Sequence, residues 1–392
     1  MGNRVPVEQQ DKPRLTAVSR GWNTGLMKKI PFTYFGVLRA PTSWAKVGRR
    51  MALGLIDIGE DVRIFERKGF LYNPDFRLPE RMTARISQSF RDDAVFTFEH
   101  PGVYDYLTGR FKIGMLTYES TVVPTHWVDG VLKHLDVLFL PSTFCMEIFD
   151  RAGVSEERTA LLPYGYDPKI YFPPAEGERG GSGAPFEFLT VASPHKREGI
   201  EKVLAAYRKA FSAHDDVTLT VKLSYLPGKK TKPFECDALT QQIERFVADE
   251  NAPTVRLLPE YLLPKEVADL YRRASCLVSA TRGEGFGLPF LEAAACDLPI
   301  IVTGWSGHMD FIKNADARLV DYKLRPAAEM QYDCQSKASL LADPDENDLA
   351  QKMREASDER DRLRPAKNRD WLEPYTWNRL AEQMVQIVTE RS

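Results

Sequence analysis

Ser279-Ala-Thr-Arg-Gly-Glu-Gly-Phe-Gly-Leu-Pro-Phe-Leu-Glu-Ala-Ala-Ala-Cys-Asp-Leu-Pro-Ile-Ile-Val-Thr303 reads as the end of one strand, a glycine-rich loop, a helix and a second strand. Apolar runs over Cys276 to Ser279 and Pro299 to Val302 are short enough for buried parallel strands. Between them Pro289 stands at the expected first helical position, where its missing N–H costs nothing. Gly283, Gly285 and Gly287 alternate with Glu284 and Phe286. Glycines let the backbone approach a ligand closely, and free amides at a helix start attract phosphate, so a diphosphate can rest here. Glu292 projects from the second turn, eight residues beyond Glu284. A carboxylate accepts hydrogen bonds from sugar hydroxyls but repels phosphate, which places each glutamate beside a sugar. The glycine spacing is not that of the dinucleotide fingerprint.

The same alternation of strand and helix extends outward in both directions. Upstream, strands are expected at Phe32 to Val37, Val62 to Phe65, Val95 to Phe98, Lys112 to Leu116 and Val137 to Leu140. A helix over Trp44 to Ile58 places Val47, Met51, Leu55 and Ile58 on one face. Pro163 to Pro168 and Phe172-Pro-Pro174 then lead into the polar, Gly-rich run Glu176 to Gly183, the best domain boundary in the chain. Beyond it come strands at Phe186 to Val191, Val217 to Leu223 and Val255 to Leu258. Helices are expected at Gly199 to Phe211, Ala238 to Ala248, Pro264 to Arg272, Pro289 to Cys296, Asn347 to Arg360 and Trp377 to Thr389. The pattern is that of parallel sheets flanked by helices: an α/β chain of two Rossmann-like domains facing a cleft. The divisions are a basic arm at 1–29, a first domain at 30–165, a linker at 166–185, a second domain at 186–375 and a terminal helix at 376–392, which can pack back on the first domain.

The chain has 392 residues, 43% hydrophobic and 28% charged, enough for two cores and unlike a disordered or fibrous protein. Its net charge of −2 argues against retention on nucleic acid by bulk positive charge. That balance conceals an asymmetry. The first fifty residues carry ten basic groups against Glu8 and Asp11, hence +8, and the remainder holds −10. The basic beginning reads as a solvated arm, a peripheral contact for anionic lipid, or an attraction for a phosphorylated acceptor. Cys145, Cys236, Cys276, Cys296 and Cys334 are odd in number, far apart and without zinc spacing, as in a reduced cytoplasmic protein. No stretch approaches the roughly twenty apolar residues of a membrane span.

Glu284-Gly-Phe-Gly-Leu-Pro-Phe-Leu-Glu292, with Pro299 to Thr303 and Gly307 after it, resembles the Glu, seven residues, Glu motif of the retaining GT-B glycosyltransferases of family 4, the glycosyl transferases group 1. Leu162-Pro-Tyr-Gly-Tyr-Asp167 and Pro141-Ser-Thr-Phe144 resemble that family's interdomain segments, so the likeness runs from about residue 31 to the C-terminus and is weaker in the first half. It implies a GT-B fold and transfer of a hexose from a nucleotide-diphosphate sugar to an acceptor hydroxyl of a glycan, glycolipid or other compound. It also implies retention of configuration and no metal or other cofactor.

The resemblance further implies that Glu284 contacts the donor hexose and that Gly285, Phe286, Gly287 and Leu288 meet the hexose and phosphate, while Glu292 holds the ribose. A basic pair should neutralise the leaving diphosphate, where charge builds as the anomeric bond breaks. The family commonly has Lys immediately before Gly199, where this chain has Glu198, so Arg197 and Lys222 take that role with Lys196 third. In the first domain no glycine occurs from 40 to 47, and Arg39 or Ser43 stands in for a glycine cradle. Glu119 and Ser120 follow a strand, with Glu119 an acceptor-binding or assisting group. Among the histidines, His308, after Gly307, is an acceptor-side candidate, with His126 and His195 of comparable standing. Asp343-Pro-Asp345 imitates a metal-binding pair but precedes a helix and reads as its cap. A nucleotide-sugar epimerase of the same shell, or a catalytically silent sugar-nucleotide binder, is the alternative function.

Overall fold

The computed structural model describes residues 30–69, 72–91, 93–175, 179, 183–223, 234–259, 261–328, 338–359 and 369–392. The basic arm 1–29, most of the Gly-rich linker and Cys334 lie outside these residues.

The first domain runs β1 (Phe32–Gly36), α1 (Ser43–Asp57), β2 (Val62–Glu66), α2 (Glu80–Thr83), β3 (Ala94–Thr97), β4 (Phe111–Met115), α3 (Thr125–His134), β5 (Val137–Leu140), α4 (Thr143–Arg151) and β6 (Thr159–Leu161). Its six strands pair in parallel in the order β2-β1-β3-β4-β5-β6. The second domain opens with β7 (Phe186–Ala192), α5 (Ile200–Ala210), β8 (Val217–Leu223), α6 (Phe234–Val247), β9 (Thr254–Leu258) and α7 (Pro264–Arg273). It continues through β10 (Cys276–Ser279), α8 (Leu288–Ala295), β11 (Ile300–Thr303), β12 (Ala317–Val320), the hairpin β13 (Tyr322–Pro326) and β14 (Leu340–Pro344), and α9 (Glu346–Asp358). Its parallel sheet has the order β12-β11-β10-β7-β8-β9. The chain ends in α10 (Trp377–Arg391). Two such sheets flanked by helices are the GT-B fold.

Local chemistry accounts for the main elements. The side chain of Thr42 caps α1 by accepting from the Ala45 amide at 3.2 Å, and Val47, Met51 and Leu55 on one face are buried. Asp345 caps α9 through the amides of Asn347 and Asp348, at 2.8 and 3.1 Å, so Asp343-Pro-Asp345 does serve as a helix start. Helix α8 begins one residue earlier than expected, at Leu288. Gly287 precedes it with φ 88°, a left-handed conformation in which a side chain would be strained.

Both sheets reverse direction of build at a switch point, between β1 and β3 in one and between β7 and β10 in the other. Open parallel sheets bind ligands beyond the strand ends at such points. The ends of β7 and β10 carry residues 193–198 and 280–287, so the glycine-rich loop emerges beside the Arg197 loop. Helix α10 crosses back to the first domain: a Cβ on Gly54 of α1 would lie 2.8 Å from the Trp377 carbonyl oxygen. Gln383 donates to the Leu161 carbonyl at 3.2 Å. The core is continuous between the domains, with the Phe286 ring tilted against Tyr164 and Phe311 at 5.3 and 5.1 Å between ring centroids.

Candidate active site

A cleft of about 1190 Å³ lies between the domains, walled on one side by α1 and the end of β4 and on the other by the ends of β7, β8 and β10. Arg197 is among the residues that line it. The residues Lys196 to Glu198 form one tight turn whose start is capped by His195, with Nδ1 accepting from the Arg197 amide at 3.1 Å. Burial, then Arg197 and Lys196, push the His195 imidazole down to about 4, so it stays neutral and keeps this acceptor at neutral pH. The turn ends at Gly199 with φ 64°, and a Cβ there would meet the Ala280 carbonyl oxygen at 2.1 Å. That close approach seats the turn against the loop that leaves β10.

The guanidinium of Arg197 donates to the Gly283 carbonyl, to Glu284 Oε1 at 3.2 Å and to Glu198 Oε1 at 2.8 Å. Burial lowers its pKa, but Glu198, Glu284 and Glu119 together hold it above the ordinary arginine value. Glu198 shares that buried setting. Its burial raises its carboxyl, Arg197 pulls it back, and Glu284 and Glu119 push it up again, leaving it above the usual range. Glu284 is held by four contacts in all: Arg197, the Thr281 hydroxyl at 3.0 Å, and backbone contacts of its amide with Ser306 Oγ at 2.8 Å and of its carbonyl with the Gly307 amide at 2.8 Å. Its carboxylate is thereby fixed at the cleft wall.

Beyond Glu284 the backbone turns into α8, and among the described residues nothing accepts from the amides of Gly287 and Leu288. These donors are the orphan groups of a helix start. Lys222, at the end of β8, faces the same region and is 3% exposed. Burial first, and Lys46 second, bring its ammonium down to about 8. Glu292, also 3% exposed, lies one helical turn further on and takes an ion pair from Lys46 of α1 across the cleft.

Thus Glu284, Arg197, Lys222, Glu119, Gly285, Phe286, Gly287, Leu288, Glu292 and Ser43 all line one cleft. Five other candidates lie elsewhere. Arg39 turns to the end of β2, pairing with Glu66 at 3.0 Å and donating to the Phe76 carbonyl at 3.0 Å, because β1 and β2 run side by side. Ser120 is buried against Ser339 at 2.6 Å, where the segment after β4 meets the strand β14 region. His308 is fully buried beneath Gly287, with Nε2 2.8 Å from the Thr303 carbonyl oxygen, and supports the loop from below. Lys196 is exposed on the outer side of the tight turn that directs Arg197 inward. His126 is an exposed residue of α3 and is also outside the cleft.

Sequence reasoning missed Lys46, Arg49 and Arg50 of α1, and gave His195 only the same standing as His126 and His308. Lys46 stands one turn inside a helix that begins at a strand end, a signal available from the pattern. Arg49 donates to the Ala40 carbonyl at 2.8 Å and stacks 4.4 Å over Phe76, while Arg50 pairs with Asp167 at 2.8 Å. These partners are far apart in sequence. Among the described residues there is no group of three or more His, Cys, Asp or Glu placed to hold a metal ion, and no helix is long and apolar enough to cross a membrane.

Residues 186–358 match the family described as Glycosyl transferases group 1. The serotype-specific mannosyltransferase WbdA of Escherichia coli is 30% identical over 115 residues, 29% of this chain and 13% of that protein. A D-inositol 3-phosphate glycosyltransferase of Acidothermus cellulolyticus is 21% identical over 45% of this chain and 40% of its own length. The chain therefore spans well under two thirds of either curated relative. Among solved structures, the sucrose-phosphate synthase of Thermosynechococcus elongatus superposes with a TM-score of 0.69 at 17% identity, over 92% of this chain and 99% of that one. Anabaena HepE, solved in complex with UDP-glucose, gives a TM-score of 0.62 at 13% identity, over 92% and 100%. These likenesses show the two-domain GT-B fold.

Proposed function

We propose, from the premise that residues 186–358 form a glycosyl transferases group 1 domain, that the whole chain is a glycosyltransferase. It moves a hexose from a nucleotide-diphosphate sugar to an acceptor hydroxyl with retention of configuration. One observation carries this reading: Arg197, Lys222 and the unclaimed amides at the start of α8 line one cleft together with Glu284 and Glu292. Two cations and two amide donors suit a diphosphate, and the flanking carboxylates suit hydroxyl groups.

In the reaction so proposed, Glu292 takes the ribose hydroxyls and Glu284 the hydroxyls of the hexose. The bond from the anomeric carbon to the diphosphate oxygen breaks, and Arg197, Lys222 and the amides stabilise the charge that accumulates on that oxygen. The acceptor oxygen bonds to the anomeric carbon on the same face, and its proton passes to the departing diphosphate. These protein groups supply the charge neutralisation, which is why the reaction is proposed to need no metal. Glu198 beside Arg197 spreads the guanidinium's charge over two carboxylates, so the donor diphosphate competes with them for it. The site is proposed to work in the cytoplasm, with the basic arm available for a phosphorylated or membrane-borne acceptor.

Release of nucleoside diphosphate from a panel of nucleotide sugars, with and without glycan and glycolipid acceptors, tests the reading. Transfer that persists in chelator, with the anomeric coupling constant of the donor retained in the product, is the expected result. A sugar isomerised without acceptor would identify an epimerase instead, and donor binding without any turnover would identify a silent binder.

A further inference from the structure

The ion pair between Lys46 and Glu292 joins the two domains at the place where the proposed donor's ribose would sit. Glu292 is almost wholly buried, and a buried carboxylate requires a partner. Its partner comes from the opposite wall of the cleft, on α1. Lys46 also lies 3.4 Å from the Tyr171 hydroxyl and 5.6 Å from the centre of that ring, which fixes its side chain along the cleft wall. On its other side is Lys222, close enough for the like charge to press on the Lys222 ammonium. Lys46 and Lys222 line the same cleft as the unclaimed amides of Gly287 and Leu288, a set of donors that suits an anion carrying more than one charge. A ribose offers the complementary exchange, since its hydroxyls can donate to Glu292 and release Lys46.

We propose that Lys46 exchanges partners when donor binds: it holds Glu292 in the ligand-free chain, yields Glu292 to the ribose hydroxyls, and then binds the donor diphosphate together with Lys222. This rests on the transferase reading and adds a first-domain residue to the donor site. It also makes tight binding conditional on both halves of the nucleotide. The ribose alone would break an ion pair and leave Lys46 without compensation, while the diphosphate supplies that compensation.

Calorimetric titration tests this with a nucleoside and its own diphosphate, uridine with UDP or guanosine with GDP, chosen as the pair whose diphosphate most raises the melting temperature. In Lys46→Met the diphosphate should bind about tenfold to a hundredfold more weakly, the loss of one charged hydrogen bond, while the bare nucleoside binds at least as tightly as to the native chain. Lys46→Arg should recover most of the diphosphate affinity, and Glu292→Gln should weaken nucleoside and diphosphate alike. Equal losses of nucleoside and diphosphate in Lys46→Met, or an unchanged diphosphate affinity, would overturn the exchange and leave the transferase reading standing. If the native chain binds none of the nucleoside diphosphates, the transferase reading and this proposal fall together.

Discussion

Two residues of the cleft carry the sharpest consequences. Glu284 is locked by Arg197 and Thr281, so Glu284→Gln keeps the shape but removes the charge that the proposed reaction sets against the hexose. Sugar transfer should fall by about 10²-fold or more while nucleoside diphosphate affinity changes little, measured by product release and calorimetry. Lys222 is buried with its ammonium brought down to about 8 from an ordinary 10.5. Only the protonated form attracts a diphosphate, so nucleoside diphosphate affinity should decline as pH rises through about 8 and the decline should vanish in Lys222→Met. Stability moves in the opposite sense. Between about 8 and 10.5 the unfolded chain binds more protons at this position than the folded one, so the ligand-free fold gains stability as pH rises through that window. Below it the buried charge carries its full cost. Lys222→Met should therefore raise the melting temperature of the ligand-free chain at pH 7, with the gain disappearing near pH 10.5. These identities were legible in the sequence because strand ends and a glycine-rich helix start announce themselves locally. Arg39, Ser120 and His308 were not placed, because each is claimed by a residue from another strand or loop: Glu66, Ser339 and Thr303.

At the scale of elements, the strands expected at Val217 to Leu223, Cys276 to Ser279 and Val137 to Leu140 coincide with those observed, and most helices agree to within a few residues. Such runs are buried on both faces and announce themselves by continuous apolar composition. The elements that sequence did not reveal include β6, β12 and the hairpin β13–β14, together with α2, α3 and α4. β6 has three residues and β12 is an edge strand whose Arg318 pairs with Glu359, so neither shows a buried run. The turn between β7 and α5 depends on Gly199, whose φ of 64° and contact with the Ala280 carbonyl exclude a side chain. Gly199→Ala should cost about 2 kcal/mol or more through strain and displacement, seen as a lower denaturation midpoint. Because Arg197 rides on the same turn, donor affinity should fall with it, even where the variant remains folded.

At the scale of the molecule, the two domains meet at more than the linker. Ser142 of the first donates to the Gly285 carbonyl at 2.6 Å, and Thr143 donates through its amide and hydroxyl to Asp310, at 2.7 and 2.5 Å. Gly285 itself is pressed on the first domain, since a Cβ there would lie 1.5 Å from Thr117 Oγ1. Gly285→Ala should wedge the cleft open. Small-angle scattering should show a larger radius of gyration and transfer should be lost, while circular dichroism keeps the helix and strand content. An unchanged radius with full activity would mean that this contact does not set the cleft. Most of the strand and helix pattern and the glutamate-bearing loop followed from the sequence alone, because burial periodicity, turn chemistry and helix starts are properties of neighbouring residues. That Lys46 joins Arg197 and Lys222 in lining the cleft was decided only by the tertiary structure. Lys46 and Glu292 are far apart in the chain, and their pairing exists because α10 returns to α1 and two separate sheets present their switch points to one cleft.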